Sequence, residues 1–294
     1  MYGTEQLIAD LMKERPVTIE RSTETGILSL DLALGGGLPR GPVEIYGDAS
    51  TGKTSLLYRI LAQAQQDSYY TVLCPSEYLD LPYMKHLGVN LDQLLLITKN
   101  KAENVWEAAL RVLEHVNRVV LAIDSATAFR PTDDSSGRWG ELIEWFLYRT
   151  HSMMNSKSCV VMINQVRMPK SIDPDRSKFF ANTPDSAARK IASYFAARLE
   201  LSRTEVSDHT YKMVTNIVSN TLARPGILVE LPFVKGEGVD KELDLVRTAL
   251  VPEGSWYLVQ GDQVQGEKAA ANLLRERPAF ATTLRRTVMG EAGL

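Results

Sequence analysis

Cysteine is almost missing from this chain: of 294 residues, only Cys74 and Cys159 are cysteines. Each lies in an apolar run, Val72-Leu73-Cys74 and Cys159-Val160-Val161, where a buried reduced thiol is favoured over a disulfide or a metal ligand. Histidine is scarce as well, and His86, His115, His151 and His209 show no metal-ligand spacing. No apolar stretch approaches the roughly 20 residues that cross a bilayer. The start, Met1-Tyr2-Gly3-Thr4-Glu5, has no basic region leading into an apolar one, so a cytoplasmic protein with no membrane contact is expected. Positive charge is not in excess: the net charge of −3 argues against a uniformly basic nucleic-acid coat and leaves a local patch open. Internal repeats and low-complexity tracts are absent.

What is present is 44% apolar residues, enough to bury the core of one large α/β domain with a small appendage. Leu7, Ile8, Leu11 and Met12 recur at helical spacing between a polar cap at Thr4 and a stop at Pro16, which predicts a short amphipathic helix over Thr4 to Arg15. A helix of that length needs its stripe covered, by the body of the chain or by a neighbouring subunit. Apolar runs follow at Val43 to Tyr46, Tyr69 to Cys74, Leu94 to Thr98, Val119 to Ile123 and Cys159 to Ile163. Helical patterns such as Ala102 to Val116 and Trp139 to Met154 separate them. Strands alternating with helices predict a mostly parallel sheet. Strands at Ala197 to Leu201, Tyr211 to Val218 and Ile227 to Leu231 extend it with antiparallel members. The last fifty or so residues change character and read as a small separate α/β module.

The chemistry concentrates at Gly47-Asp48-Ala49-Ser50-Thr51-Gly52-Lys53-Thr54, placed where the Val43 to Tyr46 strand gives way to the periodic segment Leu56, Leu57, Ile60, Leu61. Glycines at both ends let the backbone wrap, its N–H groups and the helix N-terminus face a phosphate, Lys53 reaches the outer phosphates and Thr54 can ligate Mg²⁺. The alternative is an ordinary glycine turn. Val119 to Ile123 ends in Asp124, a carboxylate able to hold Mg²⁺ beside that loop, or else a strand-end cap. Glu77, after the Thr71 to Cys74 strand, stands where it could polarise a water for attack on the γ-phosphate, or is a solvated loop acid. Gln165 ends a fourth strand and could sense the γ-phosphate.

Together, Thr25-Gly26 through Pro39-Arg40-Gly41, Glu44-Ile45-Tyr46-Gly47, the phosphate loop, Leu87-Gly88-Val89, Ile123-Asp124-Ser125 and Ile163-Asn164-Gln165-Val166-Arg167-Met168 resemble the bacterial RecA recombinase family. The likeness continues through Gly236-Glu237-Gly238 and Gly254-Ser255-Trp256-Tyr257. The short N-terminal segment and the lack of an acidic tail are similar to compact, phage-type members. The resemblance implies an N-terminal oligomerisation helix and strand (1–24), a RecA-like P-loop ATPase core with a mostly parallel central sheet and two DNA-binding loops (25–238), and a small C-terminal α/β domain (239–294). It implies ATP and Mg²⁺ as cofactors, with Gly47 to Thr54 and Ser55 at the phosphates, Thr54 and Asp124 at the metal, Glu77 as general base and Gln165 as γ-phosphate sensor. Asp80 and Tyr83 match the adenine-contacting pair, although the stretch after Glu77 is one residue shorter here.

Family members form helical filaments on single-stranded DNA, with ATP between subunits, and exchange strands with homologous double-stranded DNA, aided by loading or mediator proteins. The helix Thr4 to Arg15 and strand Val17 to Glu20 then pack on the neighbouring subunit. The resemblance puts DNA contact first at Arg138, Trp139 and Gly140, where Trp139 can wedge between bases or, as an alternative, anchor the core. A second loop, Val166 to Lys190, carries Arg167, Met168, Lys170, Arg176, Lys178, Arg189 and Lys190, with Phe179-Phe180 at its middle. Its basic residues outnumber Asp173, Asp175 and Asp185 by three, which suits a single strand with stacked bases; a solvated surface loop is the alternative.

Departures from the family pattern stand beside these matches. Val214-Thr215-Asn216-Ile217 has no lysine where members carry two that reach the neighbour's γ-phosphate, leaving Lys212 or Lys235 as substitutes. Lys235 also stands where an aromatic usually covers the adenine. The second loop is longer than usual and lacks paired glycines, and Glu144, Leu147 and His151 replace polar or basic phosphate contacts. Two functions fit: a DNA-dependent ATPase and recombinase, or an accessory protein that binds ATP and a partner without strand exchange. A hexameric helicase-type motor on the same fold is disfavoured by the order of the terminal segments.

Overall fold

Aliphatic runs buried on both faces build the centre of the molecule, and their order is seen in a computed structural model that describes residues 20–99, 101–133, 138–154, 157–165 and 191–294. The helix expected at Thr4 to Arg15, the strand from Val17 up to its last residue, Gly137 and the second loop, with Arg167, Met168, Lys170, Arg176, Lys178, Arg189 and Lys190, lie outside the described residues, as does the side chain of Gln165. The chain runs α1 (Leu28–Leu34), β1 (Gly41–Gly47), α2 (Lys53–Gln66), β2 (Tyr70–Pro75), α3 (Leu81–His86), β3 (Leu94–Leu96), α4 (Ala102–His115), β4 (Val119–Asp124), α5 (Arg138–Met153) and β5 (Cys159–Gln165). It continues through β6 (Ala197–Glu205), β7 (Thr210–Asn220), β8 (Ile227–Val234), β9 (Gly238–Val239), α6 (Lys241–Ala249), β10 (Trp256–Val259), β11 (Asp262–Gln265), α7 (Glu267–Glu276) and α8 (Pro278–Glu291).

Among the described residues one nine-stranded sheet has the order β3-β2-β4-β5-β1-β6-β7-β8-β9. Strands β3 through β6 in that order run parallel, and β7, β8 and β9 add on antiparallel. The Ala197 strand therefore joins in parallel with β1, and the antiparallel extension starts one strand later than its sequence suggests. All of β1 is buried, as a parallel strand covered on both faces should be, whereas β7 alternates, with Tyr211, Met213, Thr215 and Ile217 turned inward.

Alternation along the central strands sorts two apolar layers. Val43, Ile45, Val161 and Ile163 pack with Leu56, Leu57, Ile60 and Leu61 of α2, while Leu121, Ile123, Val160 and Met162 face Trp106 of α4 and Phe146 of α5. Trp106 ties that second layer together, its ring 4.8 Å from Phe146 and 5.5 Å from Phe129.

The C-terminal elements form a third apolar cluster around Val246, Val259 and Leu274 that takes in Leu28 of α1. Polar contacts reinforce this docking. Arg285 on α8 donates to Glu24 at 2.7 Å and to buried Asp31, and Ser29 donates to Asp244 on α6 through its N–H at 3.1 Å and its hydroxyl. Burial pushes the Asp31 carboxyl up to about 6 against the pull of Arg285.

Candidate nucleotide site and its flanking surfaces

The carboxyl ends of β1, β2, β4 and β5 converge at one edge of the sheet, and the phosphate loop turns there from β1 into α2. Glycine is required at both ends of the turn. Gly47 has φ +149°, and a Cβ on it would stand 2.0 Å from the carbonyl oxygen of Leu201; Gly52 has φ +91°, and its Cβ would meet Met213 Cε at 2.4 Å. Gly47→Ala is accordingly expected to lower the melting temperature and nucleotide affinity together, since backbone blocks it; thermal melting with and without nucleotide checks this. Asp48, Ala49 and Ser50 form the exposed crest, and Thr51 donates to the Asp48 carbonyl at 3.0 Å.

Lys53, buried at the start of α2, points its ammonium into the loop and donates to the carbonyls of Gly47 and Asp48 at 2.9 and 2.5 Å. Burial lowers its pKa, while Asp124 and Asp48 pull it back. Thr54 Oγ1 donates to Asp124 Oδ2 at 2.8 Å, joining α2 to the end of β4. The Asp124 carboxyl is raised by burial, with Thr54 and Lys53 opposing and Glu77 adding to the rise. A hydroxyl and a carboxylate so close are hard oxygen donors of the kind Mg²⁺ accepts. Among the described residues no group of three or more His, Cys, Asp or Glu could hold a metal.

Ser76 stitches the neighbouring strand ends. Its N–H and hydroxyl donate to the Asp124 carbonyl at 2.7 and 2.9 Å, and Ser125 N–H donates to its oxygen at 2.7 Å. Glu77, the next residue, is exposed beside this stitch. Asp80 caps α3 by accepting from the Tyr83 N–H at 3.0 Å, and Tyr83 returns to the site through its hydroxyl, 2.7 Å from Ser55 Oγ. The structure thus brings Lys53, Thr54, Ser55, Asp124 and Tyr83 together, with Glu77 and Asp80 at the rim. Sequence spacing missed Ser76, whose role depends on a pairing of β2 with β4 that no local signal announces.

Arg138, Trp139 and Gly140 form the first turn of α5. Arg138 pairs with Glu141 at 3.3 Å on the surface, and Trp139, half-buried, touches the second apolar layer with part of its ring left at the surface. His151 Nε2 lies 2.8 Å from the Tyr194 carbonyl, linking α5 to the chain just beyond the second loop. Lys212 pairs with Glu230 at 2.7 Å and Lys235 with Glu205 at 3.4 Å. Both lie at the phosphate-loop end of the sheet, because β6 passes Gly47 at Leu201 and meets Tyr211 at Glu205. Val214 to Ile217 lie in the interior of β7, where Thr215 and Ile217 are buried.

Comparison with known proteins bears on the whole arrangement. The RecA N-terminal domain family matches residues 1–240. The RecA protein of Bdellovibrio bacteriovorus is 32% identical across 92% of this chain and 76% of its own length. That of Bartonella henselae is 32% identical across 100% and 89%, and that of Azospirillum lipoferum 33% identical across 92% and 80%. With the family match over residues 1–240 and relatives above 30% identity over most of both chains, the chain belongs to the RecA family.

Proposed function

We propose that this chain is an ATP-dependent DNA recombinase that polymerises as a helical filament on single-stranded DNA, hydrolyses ATP at subunit interfaces and pairs the bound strand with homologous duplex. The observation that carries the nucleotide half is the Thr54–Asp124 bond, which closes the phosphate loop against β4 with Glu77 beside it. Family membership supports the DNA half. In this reading the loop N–H groups and Lys53 hold the β- and γ-phosphates, and Thr54 and Asp124 hold Mg²⁺, which when bound neutralises charge developing on the phosphate oxygens. Glu77 accepts the proton of the water whose oxygen attacks the γ-phosphorus, releasing ADP and phosphate. Asp80 and Tyr83 line the adenine side, Ser55 follows the phosphate loop with its hydroxyl against Tyr83, and Gln165 senses the γ-phosphate. Residues 1–24 reach the neighbouring subunit, 25–238 form the motor and 239–294 the C-terminal domain.

DNA contact comes from the start of α5, at Arg138 to Gly140, and from the second loop. Replacing Arg167 and Lys190 together with alanine is expected to weaken single-strand affinity and flatten the slope of log affinity against log salt by about 1.4, two contacts at roughly 0.7 each. Anisotropy titrations over a salt series check this; an unchanged slope removes the loop from the footprint. The function is tested by joint-molecule formation between single-stranded circles and homologous linear duplex in the presence of ATP, which is expected to proceed. One observation favours a second reading, a RecA-like accessory protein: Lys212 and Lys235 are each held by an acid at the chain's own nucleotide end. ATP-dependent DNA binding without joint molecules would select it.

A further inference from the structure

The C-terminal helices dock on the core without closing against it everywhere. Between α2 on one side and α6, α7 and α8 on the other lies a cleft of about 510 Å³. Its apolar lining is Leu245, Leu274 and Met289, buried side chains of the third cluster. Its polar lining is charged, and the charges do not balance. The three lining acids are all engaged: Glu24 accepts from Arg285 at 2.7 Å, Glu242 stands 3.7 Å from Lys241 and 3.8 Å from Arg275, and Asp67 accepts from Thr23 at 3.0 Å and Gln63 at 2.9 Å. Two lining cations, Arg275 and Arg285, are likewise held by acids. Arg21 and Arg286 are different: both are exposed at the cleft, and their side chains make no ion pair or hydrogen bond among the described residues. The Arg21 guanidinium lies flat across Gly36, whose φ of +106° and missing Cβ make room for it.

Packing accounts for neither feature. Protein interiors close to the density of organic crystals, and an opening of this size over apolar side chains falls within the roughly 300 to 1,000 Å³ of small-molecule sites. With every lining acid engaged, the charge left unanswered is that of two guanidiniums, whose planar forks match phosphate and carboxylate oxygens. An inorganic anion would answer the arginines and leave the floor wet. A neutral apolar molecule would cover the floor and leave the arginines unanswered. The complement of both is a small organic anion, with a phosphate or carboxylate at Arg21 and Arg286 and an apolar body over Leu245, Leu274 and Met289. The cleft is separate from the phosphate loop: Gln63 and Gln66 line it at the far end of α2, about 15 to 20 Å along the helix from Lys53 at 1.5 Å per residue.

We propose that the cleft between α2 and the C-terminal helices is a second ligand site, which takes a small organic anion through Arg21 and Arg286 and so ties the C-terminal module to the core. The proposal goes beyond the recombinase reading and stands without it. It is tested on the full chain by calorimetric titration with 1-naphthyl phosphate, with ADP in excess to fill the phosphate loop, alongside thermal melting. One saturable site is expected, with a melting temperature that rises with ligand concentration. Inorganic phosphate is expected to bind at least about tenfold more weakly, because it leaves the apolar floor unused. Arg21→Ala with Arg286→Ala should weaken naphthyl phosphate by at least about tenfold. Lys99→Ala with Arg111→Ala, which removes the same charge at exposed positions outside the cleft, should stay within about twofold of the parent. No saturable binding, parental affinity in the Arg21 and Arg286 double variant, equal loss in the Lys99 and Arg111 pair, or equal affinity for inorganic phosphate each overturns the proposal. If the arginine double variant does not fold, Ala281→Phe decides: Ala281 lines the cleft, the larger ring is expected to fill it and abolish binding, and a folded Ala281→Phe chain that binds like the parent overturns the proposal.

Discussion

Lys53→Ala is expected to remove nucleotide binding and every nucleotide-dependent change in DNA affinity. The ammonium sits at the start of α2 and points back over the loop, donating to the carbonyls of Gly47 and Asp48. In the proposed reading these carbonyls hold it ready for the outer phosphates of a nucleotide, and Asp124 and Asp48 favour its charged form against burial. A hydrogen bond from a charged donor to a charged acceptor contributes about 1.5 to 3 kcal/mol, so losing two weakens affinity by at least about 100-fold. Titration with a fluorescent nucleotide measures it. The fold should survive, because the Asp124 carboxylate keeps its hydrogen bond from Thr54 when the Lys53 charge is removed, and the melting temperature without nucleotide should stay near the parental value. An affinity within threefold of the parent would detach Lys53 from the phosphates.

The second large effect is kinetic. Glu77→Gln is expected to leave ATP and ATP-dependent DNA binding intact while turnover falls by about 10² to 10⁴, the usual contribution of a general base. The amide keeps the shape of the side chain and cannot accept the proton. Exposed and outside the apolar layers, Glu77 carries no fold-level burden, so stability should not change. Steady-state phosphate release is the readout, and hydrolysis at the parental rate would make Glu77 a solvated loop acid.

Much of this was legible in the sequence because it is local. The phosphate loop is contiguous, and Val119 to Asp124 announces a buried strand that ends in an acid. The helices at Ala102 and Trp139 are written in their 3.6-residue period and begin and end within a residue or so of expectation. What stayed hidden depends on pairing at a distance. The buried ion pair of Glu44 and Arg198 joins residues 154 positions apart, and Arg285 reaches Asp31 across 254. Nothing near Glu44 marks it as the acid of a buried pair, since a charged residue within an aliphatic strand reads equally as a break in the pattern. Ser76 likewise gains its role only when β2 lies beside β4. Trp139 was ambiguous by nature: an aromatic at the start of a helix fits a base wedge and a core anchor alike, and packing on the second layer is what the fold supplies.

The central claim is that DNA completes an ATP site shared between subunits, and the most direct test is the steady-state ATP hydrolysis rate with and without single-stranded DNA across a salt series. The recombinase account predicts strong stimulation by DNA that fades as salt displaces the phosphate contacts of the second loop. A rate indifferent to DNA at every salt concentration would contradict it and leave a RecA-family protein that binds ATP for another purpose.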